Sequence, residues 1–351
     1  MIRPSVKTLF LGLAALACLP FGSIASAEAI QWVTVGDPNN AADTTNRGAV
    51  SDSFQIMKYE FTNQQYTNFL NSVDAGGINP NSVYNVDMGN DIRGGISFTS
   101  GAASGSKYAV KSNMGDKPVN YVSWFDAARV SNWLMNGAGS SSNTEDGAYT
   151  LVGGQTTGTA PARNNGATFY IPTEDQWYKA AYYKGGSTSA GYWDYATRSD
   201  TAPTAVTADT TGIGSASTGT IGSGTGNFAN YLGDANWNGL ERNGNVTTVG
   251  TNGVSSAYGA FDMNGNITEW NDLTGLVAGS DRGVRGGYWG SFSEFSLRSS
   301  FNQEIAASDE SDVYGFRLAS PVAVPEPSTY AMALAGLACG GYSVFRRRKR
   351  A

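Results

Sequence analysis

Histidine is absent from all 351 residues, and cysteine occurs only at Cys18 and Cys339, each inside an apolar terminal stretch. The long middle of the chain therefore carries neither imidazole nor thiol. That excludes Ser–His and Cys–His nucleophilic catalysis, thiolate or imidazole zinc sites, haem ligation and iron–sulfur clusters. No disulfide is available to staple the middle either. Runs of positive charge are missing there too. Without the seven cations and one acid of the terminal segments, 16 basic and 28 acidic residues remain, a net charge of −12 against −6 for the whole chain. Nucleic-acid binding rests on cationic contacts to phosphate, so no nucleic-acid partner is expected. What remains is carboxylate chemistry, hard cations held by oxygen, or recognition without chemistry.

What is present is glycine, 45 residues of it, together with 8 Trp, 18 Tyr and 15 Phe. Disordered chains lack such aromatics, so the composition points to a folded, loop-rich domain. Three capping sequences mark helix starts. Thr62-Asn63-Gln64-Gln65 precedes Tyr66, Phe69, Leu70 and Val73; Ser123-Trp124-Phe125-Asp126 precedes Ala127, Val130, Trp133 and Leu134; Thr173-Glu174-Asp175-Gln176 precedes Trp177, Ala180 and Ala181. Strands are expected at Trp32–Val35, Phe54–Glu60, Phe169–Ile171 and Val246–Val249. The Gly-, Ser- and Thr-rich passage from Lys184 to Phe228 is expected to be a long surface loop.

Both ends carry targeting patterns. Arg3 and Lys7, the apolar run Leu9 to Phe21, and Ala25-Ser26-Ala27 follow the order of a secretory signal peptide covering 1–27. At the other end, Pro325-Glu326-Pro327 precedes an apolar stretch over 330–345 and the cluster Arg346-Arg347-Arg348-Lys349-Arg350. A transmembrane helix is expected over that stretch, with the basic tail held in the cytoplasm. The three parts together resemble the PEP-CTERM sorting signal, which implies recognition by an exosortase-type membrane protease. It further implies an exported cell-envelope, cell-surface or extracellular protein, anchored at first in the inner membrane and associated with exopolysaccharide and biofilm.

Six segments in order carry a second resemblance: Phe54 to Asn63, KPVNYVSWFDAARVSNWL from Lys117, YIPTEDQWYKAA from Tyr170, YGAFDMNGNITEW from Tyr258, RGVRGGYWG from Arg282, and YGFRLA from Tyr314. In that order they resemble the formylglycine-generating-enzyme-like, or sulfatase-modifying-factor, family over 28–321. The resemblance implies an α+β, C-type-lectin-like, loop-rich fold, to which the C-terminal transmembrane helix would be appended. In the family's enzymes two cysteines after the Arg-Gly-Gly segment bind copper and oxidise a substrate cysteine to formylglycine. Those positions fall on Ser291 and Ser296 here, so no copper is expected, because a hydroxyl is a poor substitute for thiolate toward copper(I). Missing imidazole likewise excludes the iron site of a histidine-using relative.

Calcium is the cofactor that the resemblance leaves in place. One family site maps onto Asp262, Gly265, Ile267 and Glu269, and another onto Asn230, Tyr231, Glu241 and Asn243, all oxygen donors of the kind calcium takes. Trp289, with Arg285, Gly286, Gly287, Arg298 and Arg317, belongs to the C-terminal signature. Trp289 would either face a sugar ring or pack inside, with the arginines paired to buried acids. The expectation is a non-catalytic binding or structural module with exopolysaccharide, a peptide or a matrix protein as ligand. The alternative is an enzyme of altered chemistry that uses Glu269, Asp262, Glu174 or Asp175 as acids and bases.

Overall fold

The three capping sequences each start a helix. A computed structural model describes residues 30–321, so the signal segment, Pro325-Glu326-Pro327 and the apolar stretch 330–345 lie outside the described residues. Among the described residues no helix is long and apolar enough to cross a membrane. The first strands are β1 (Trp32–Val35) and β2 (Phe54–Met57). Helix α1 (Asn63–Val73) follows, with Thr62 Oγ1 accepting from Gln65 N at 3.3 Å while Gln65 Oε1 accepts from Thr62 N at 3.0 Å. A short α2 (Asp87–Asn90) and the hairpin β3 (Ile96–Phe98) and β4 (Tyr108–Val110) come next, without a clear signal in sequence. Helix α3 (Trp124–Met135) is capped reciprocally by Ser123 and Asp126, and α4 (Glu174–Tyr182) by Thr173 and Gln176.

The remaining strands are short: β5 (Thr204–Ala205), β6 (Phe228–Ala229), β7 (Thr268–Asn271), β8 (Asp281–Arg285), β9 (Gln303–Ala306), β10 (Tyr314–Gly315) and β11 (Ala319–Ser320). They form a three-stranded sheet in the order β1-β2-β11 and a four-stranded sheet in the order β10-β7-β8-β9. The second is mixed, with β10 parallel to β7 and the other pairs antiparallel. The architecture is α+β and loop-rich, as composition suggests.

Three expectations need correction. The strand from Phe54 stops at Met57 rather than Glu60. Phe169–Ile171 forms no strand, since Tyr170 makes only an isolated bridge to Ala319. Val246–Val249 is buried but irregular, because its amides bond to different neighbours: Thr247 N to the Asn266 side chain, Thr248 N to Gly212 O and Val249 N to Asp116 O. A ladder needs successive residues to share one partner strand, and here they do not. The Lys184–Phe228 passage is also less superficial than its composition implies. It buries Tyr195, Ala196 and Val206, and Tyr195 packs with Tyr231 and Leu297.

Buried arginines hold the core alongside Trp124, Trp177 and Trp270. Arg317 meets both oxygens of Glu269, Nε to Oε2 at 2.6 Å and Nη2 to Oε1 at 2.7 Å. Arg282 Nε reaches Asp272 Oδ1 at 3.0 Å, and Arg129 reaches Glu145 at 2.8 Å. Removing one partner of such a pair leaves an uncompensated buried charge. Arg317→Met is therefore expected to lower unfolding free energy by about 3–5 kcal/mol, read by denaturant titration. A loss below about 1 kcal/mol, the level of an exposed pair, would contradict this account.

Candidate pocket at the serine positions

The turn after β8 brings the two sequence-predicted serines together. Gly287 has φ +71°, and a Cβ placed there would lie 3.0 Å from Ser296 Oγ and 3.1 Å from Ser291 Oγ, so both hydroxyls flank one glycine that only a residue without a side chain fits. Ser291 Oγ accepts from Tyr288 N at 3.0 Å, and Ser296 Oγ donates to Ser293 O at 3.3 Å. Both serines line a cavity of about 100 Å³. Its floor takes one face of the four-stranded sheet, with Thr268, Val284, Gln303 and Tyr314 each supplied by a different strand. Arg285 closes the base. Its Nε donates to Glu174 Oε1 at 2.6 Å, and its Nη1 donates to the carbonyls of Ser299 and Phe301.

Trp289 lies beside this cavity but turns inward, with 6% of its surface exposed. The Arg93 guanidinium sits 4.1 Å from its ring centroid, and its indole N–H donates to Asp312 O at 3.4 Å. Its apolar face is thus taken by the protein itself. The exposed aromatics near the serines are instead Phe292 and Phe295, at 95% and 56%. Sequence reasoning passed over them, although the spacing Ser291-Phe292-…-Phe295-Ser296 puts both rings between the two cavity-lining serines.

Most of the oxygen-donor residues share one buried neighbourhood, with Asn230 bridged to Gly265 and Asp262 within electrostatic reach of Glu269. Glu269 is spent on Arg317, with Trp177 Nε1 donating to Oε2 at 2.8 Å. Asp262 accepts from Gly250 N at 2.5 Å and Asn252 Nδ2 at 2.9 Å. Gly265 and Ile267 lie on the buried segment between them, Gly265 bridged to Asn230. Asn230 is buried, donates to Asn245 O at 2.9 Å, and leaves its own Oδ1 without a partner. Tyr231 is buried and donates to Pro203 O, whereas Glu241 and Asn243 sit on an exposed turn. Among the described residues no three acidic side chains converge on a point that would hold a metal. As folded, Arg317 takes both oxygens of Glu269 and Asp262 accepts two hydrogen bonds, while Asn230 Oδ1 and the nearby Glu60 Oε1 are buried without a partner.

The other candidate acids are equally committed. Glu174 bonds Arg285 and Arg47, and Asp175 Oδ1 accepts from Gly48 N at 2.8 Å. Glu60, missed in sequence, lies buried near Asp262 and Arg317. Burial first, then the charge of Asp262, pushes its carboxyl well up, with Arg317 opposing. Burial likewise lifts Asp272 to about 7 against Arg282, and Asp126 to about 6 against its bonds to Ser123. Glu310 rises to about 7 through burial and the nearby Asp126.

Unfolded carboxyls titrate near 4, so between there and neutrality the native state binds more protons than the unfolded one. Stability contributed by these groups is full below about 4 and is lost as pH rises through about 6 and 7. Lys117 and Lys179, whose ammonium groups burial lowers to about 8, act above that window. The melting temperature is therefore expected to fall as pH is raised from about 5.5 to about 7.5. A flat or rising profile would contradict it. Melts with millimolar calcium and with chelator test the calcium positions, since a bound ion would raise the midpoint by mass action and coincident melts would speak against a tight site.

With this geometry in place, comparison with known proteins adds two domain assignments. Residues 19–322 match the model of the sulfatase-modifying factor enzyme 1-like domain, and residues 323–349 match the PEP-CTERM protein-sorting motif. Among solved structures, the crystal structure of CarF is 19% identical, covering 84% of this chain and 98% of that one, with a TM-score of 0.48. Treponema denticola variable protein 1 is 17% identical, covering 84% and 95%, with a TM-score of 0.46. PvdO from Pseudomonas aeruginosa is 19% identical, covering 84% and 92%, with a TM-score of 0.40. No curated protein matches the chain significantly in sequence.

Proposed function

The chain belongs to the sulfatase-modifying factor enzyme 1-like family and carries an exosortase sorting motif, and from that premise we propose that it is an exported envelope or surface protein whose domain binds rather than catalyses. The domain spans 28–321 after removal of the signal segment, and the sorting segment 322–351 holds it at the inner membrane until exosortase acts. Its work is adhesive or architectural, in a matrix of exopolysaccharide and protein.

One observation carries this reading: the positions at which the family's enzymes hold copper are hydroxyls, Ser291 and Ser296, and the chain's only thiols lie at Cys18 and Cys339, far along the sequence from that pocket. A serine hydroxyl does not ionise near neutral pH and is a hard donor, so it offers copper(I) no thiolate. The acid–base alternative is weakened by the same structure, since Glu269, Asp262, Glu174 and Asp175 all serve internal hydrogen bonds or ion pairs. The test is direct. Purified protein supplied with copper, oxygen and cysteine-containing peptides is expected to leave the peptide sulfur in place by mass spectrometry. Copper-dependent loss of sulfur from a peptide would overturn the proposal.

A further inference from the structure

We propose that the cavity between Ser291 and Ser296 takes the edge of one ring of a neutral polysaccharide, with Phe292 and Phe295 as the platform for the ring that follows. This deepens the binding reading above and rests on it.

Three properties of the cavity point to that chemistry. The first is charge. Arg285 is the one cation at its walls, and Glu174 with two carbonyls consumes that charge from behind. Burial raises the phenols of Tyr288 and Tyr314, so both stay neutral. A charged ligand would leave water here without a counter-charge. The acidic exterior, net −6 over the chain, adds repulsion against an anionic polymer.

The second property is the hydrogen-bond inventory. Ser291 Oγ accepts from Tyr288 N, and its own O–H is left to donate inward. Ser296 Oγ spends its proton on Ser293 O and keeps its lone pairs. One donor and one acceptor flanking the same glycine match a sugar hydroxyl, which accepts from one side and donates to the other. A purely apolar guest would leave both unpaired.

The third is shape. At about 100 Å³ the cavity is smaller than a whole sugar ring, so it takes the edge of one ring at its mouth, where the apolar faces of Tyr314, Phe301 and Val284 meet the ring's C–H groups. Phe292, 95% exposed, gains nothing inside the protein from its position. Phe295 packs edge-on against Phe301 at 5.3 Å and thereby joins the lip to the wall. A pocket continued by exposed rings fits a chain molecule held at one residue and stacked at the next.

Affinity electrophoresis of the full-length chain through gels containing a β-glucan, a galactan or a mannan tests this, with alginate as the anionic polymer and a mixed octapeptide pool as competitor. Retardation by at least one neutral polysaccharide is expected. Phe292→Ala and Ser296→Phe are each expected to weaken it about tenfold, at an unchanged melting temperature for Phe292→Ala because that ring is exposed. Neutral-polysaccharide binding that both folded variants retain would overturn the site while leaving the binding function standing. Retardation by alginate alone, competition by peptide, or no retardation by any neutral polymer would overturn the ligand class. Failure of the non-catalytic reading would appear separately, as sulfur loss in the copper assay.

Discussion

The buried pair of Arg317 and Glu269 is the joint on which the rest of the structure depends. Glu269 sits on β7 and Arg317 just past β10, so their two bonds fasten one edge of the four-stranded sheet. The same guanidinium donates to Met57 O at 3.0 Å, in β2 of the other sheet, and to Phe261 O at 2.8 Å. Trp177 of α4 donates to the same carboxylate. Two sheets, a helix and the Phe261 segment thus meet at one ion pair. Burying two charges costs several kcal/mol per ion, and the cost is offset here because most of the polar atoms involved find partners. This commitment leaves Glu269 no oxygen without a partner.

Where an exported domain of this size would ordinarily use disulfides, amide side chains take over the stapling. Asn132 donates to Thr144 O at 2.8 Å and Tyr149 O at 2.9 Å while accepting from Tyr149 N at 2.8 Å. Asn63 on α1 reaches the carbonyls of Met114, Lys117 and Pro118, and Asn264 joins Ala196 N to Leu297 O. Asn132 and Asn264 supply both the donor and the acceptor, and Asn63 the donor, that an irregular backbone would otherwise seek from water. The packing leaves no spare room: a Cβ on Gly265 would lie 2.2 Å from Asn230 O. Abundant Asn and Gly, which look like loop composition in sequence, are here the means of closing a core with little regular structure.

How legible the fold is in sequence follows from which forces are local. The helices at Asn63, Trp124 and Glu174 are visible because a capping box is written within four residues. Strands such as β8 and β10 are not, because their pairing is set by partners far along the chain and their residues include Asp281, Arg282 and Arg285, which no strand propensity favours. Asp281 stays exposed, and the two arginines are tolerated because Asp272 and Glu174 pair with them. At the pocket, the family pattern located Ser291 and Ser296, yet it gave no hint that Trp289 faces Arg93 or that Phe292 faces solvent. Side-chain direction after a glycine with φ +71° depends on the turn and not on residue type.

At this turn the ion pairs that hold β8 are distinct from the local bonds of the two serines. The groups that secure β8, namely Arg282 on Asp272 and Arg285 on Glu174, make no hydrogen bond to either serine. The serines hold only local bonds, one to Tyr288 N and one to Ser293 O. A substitution at Ser291 or Ser296 would therefore change what the cavity can bind without drawing on the ion pairs that secure β8. The ion pairs that hold β8 and the hydroxyls that give the cavity its donor and acceptor reside in different residues, even though the one stretch from Arg282 to Ser296 presents both.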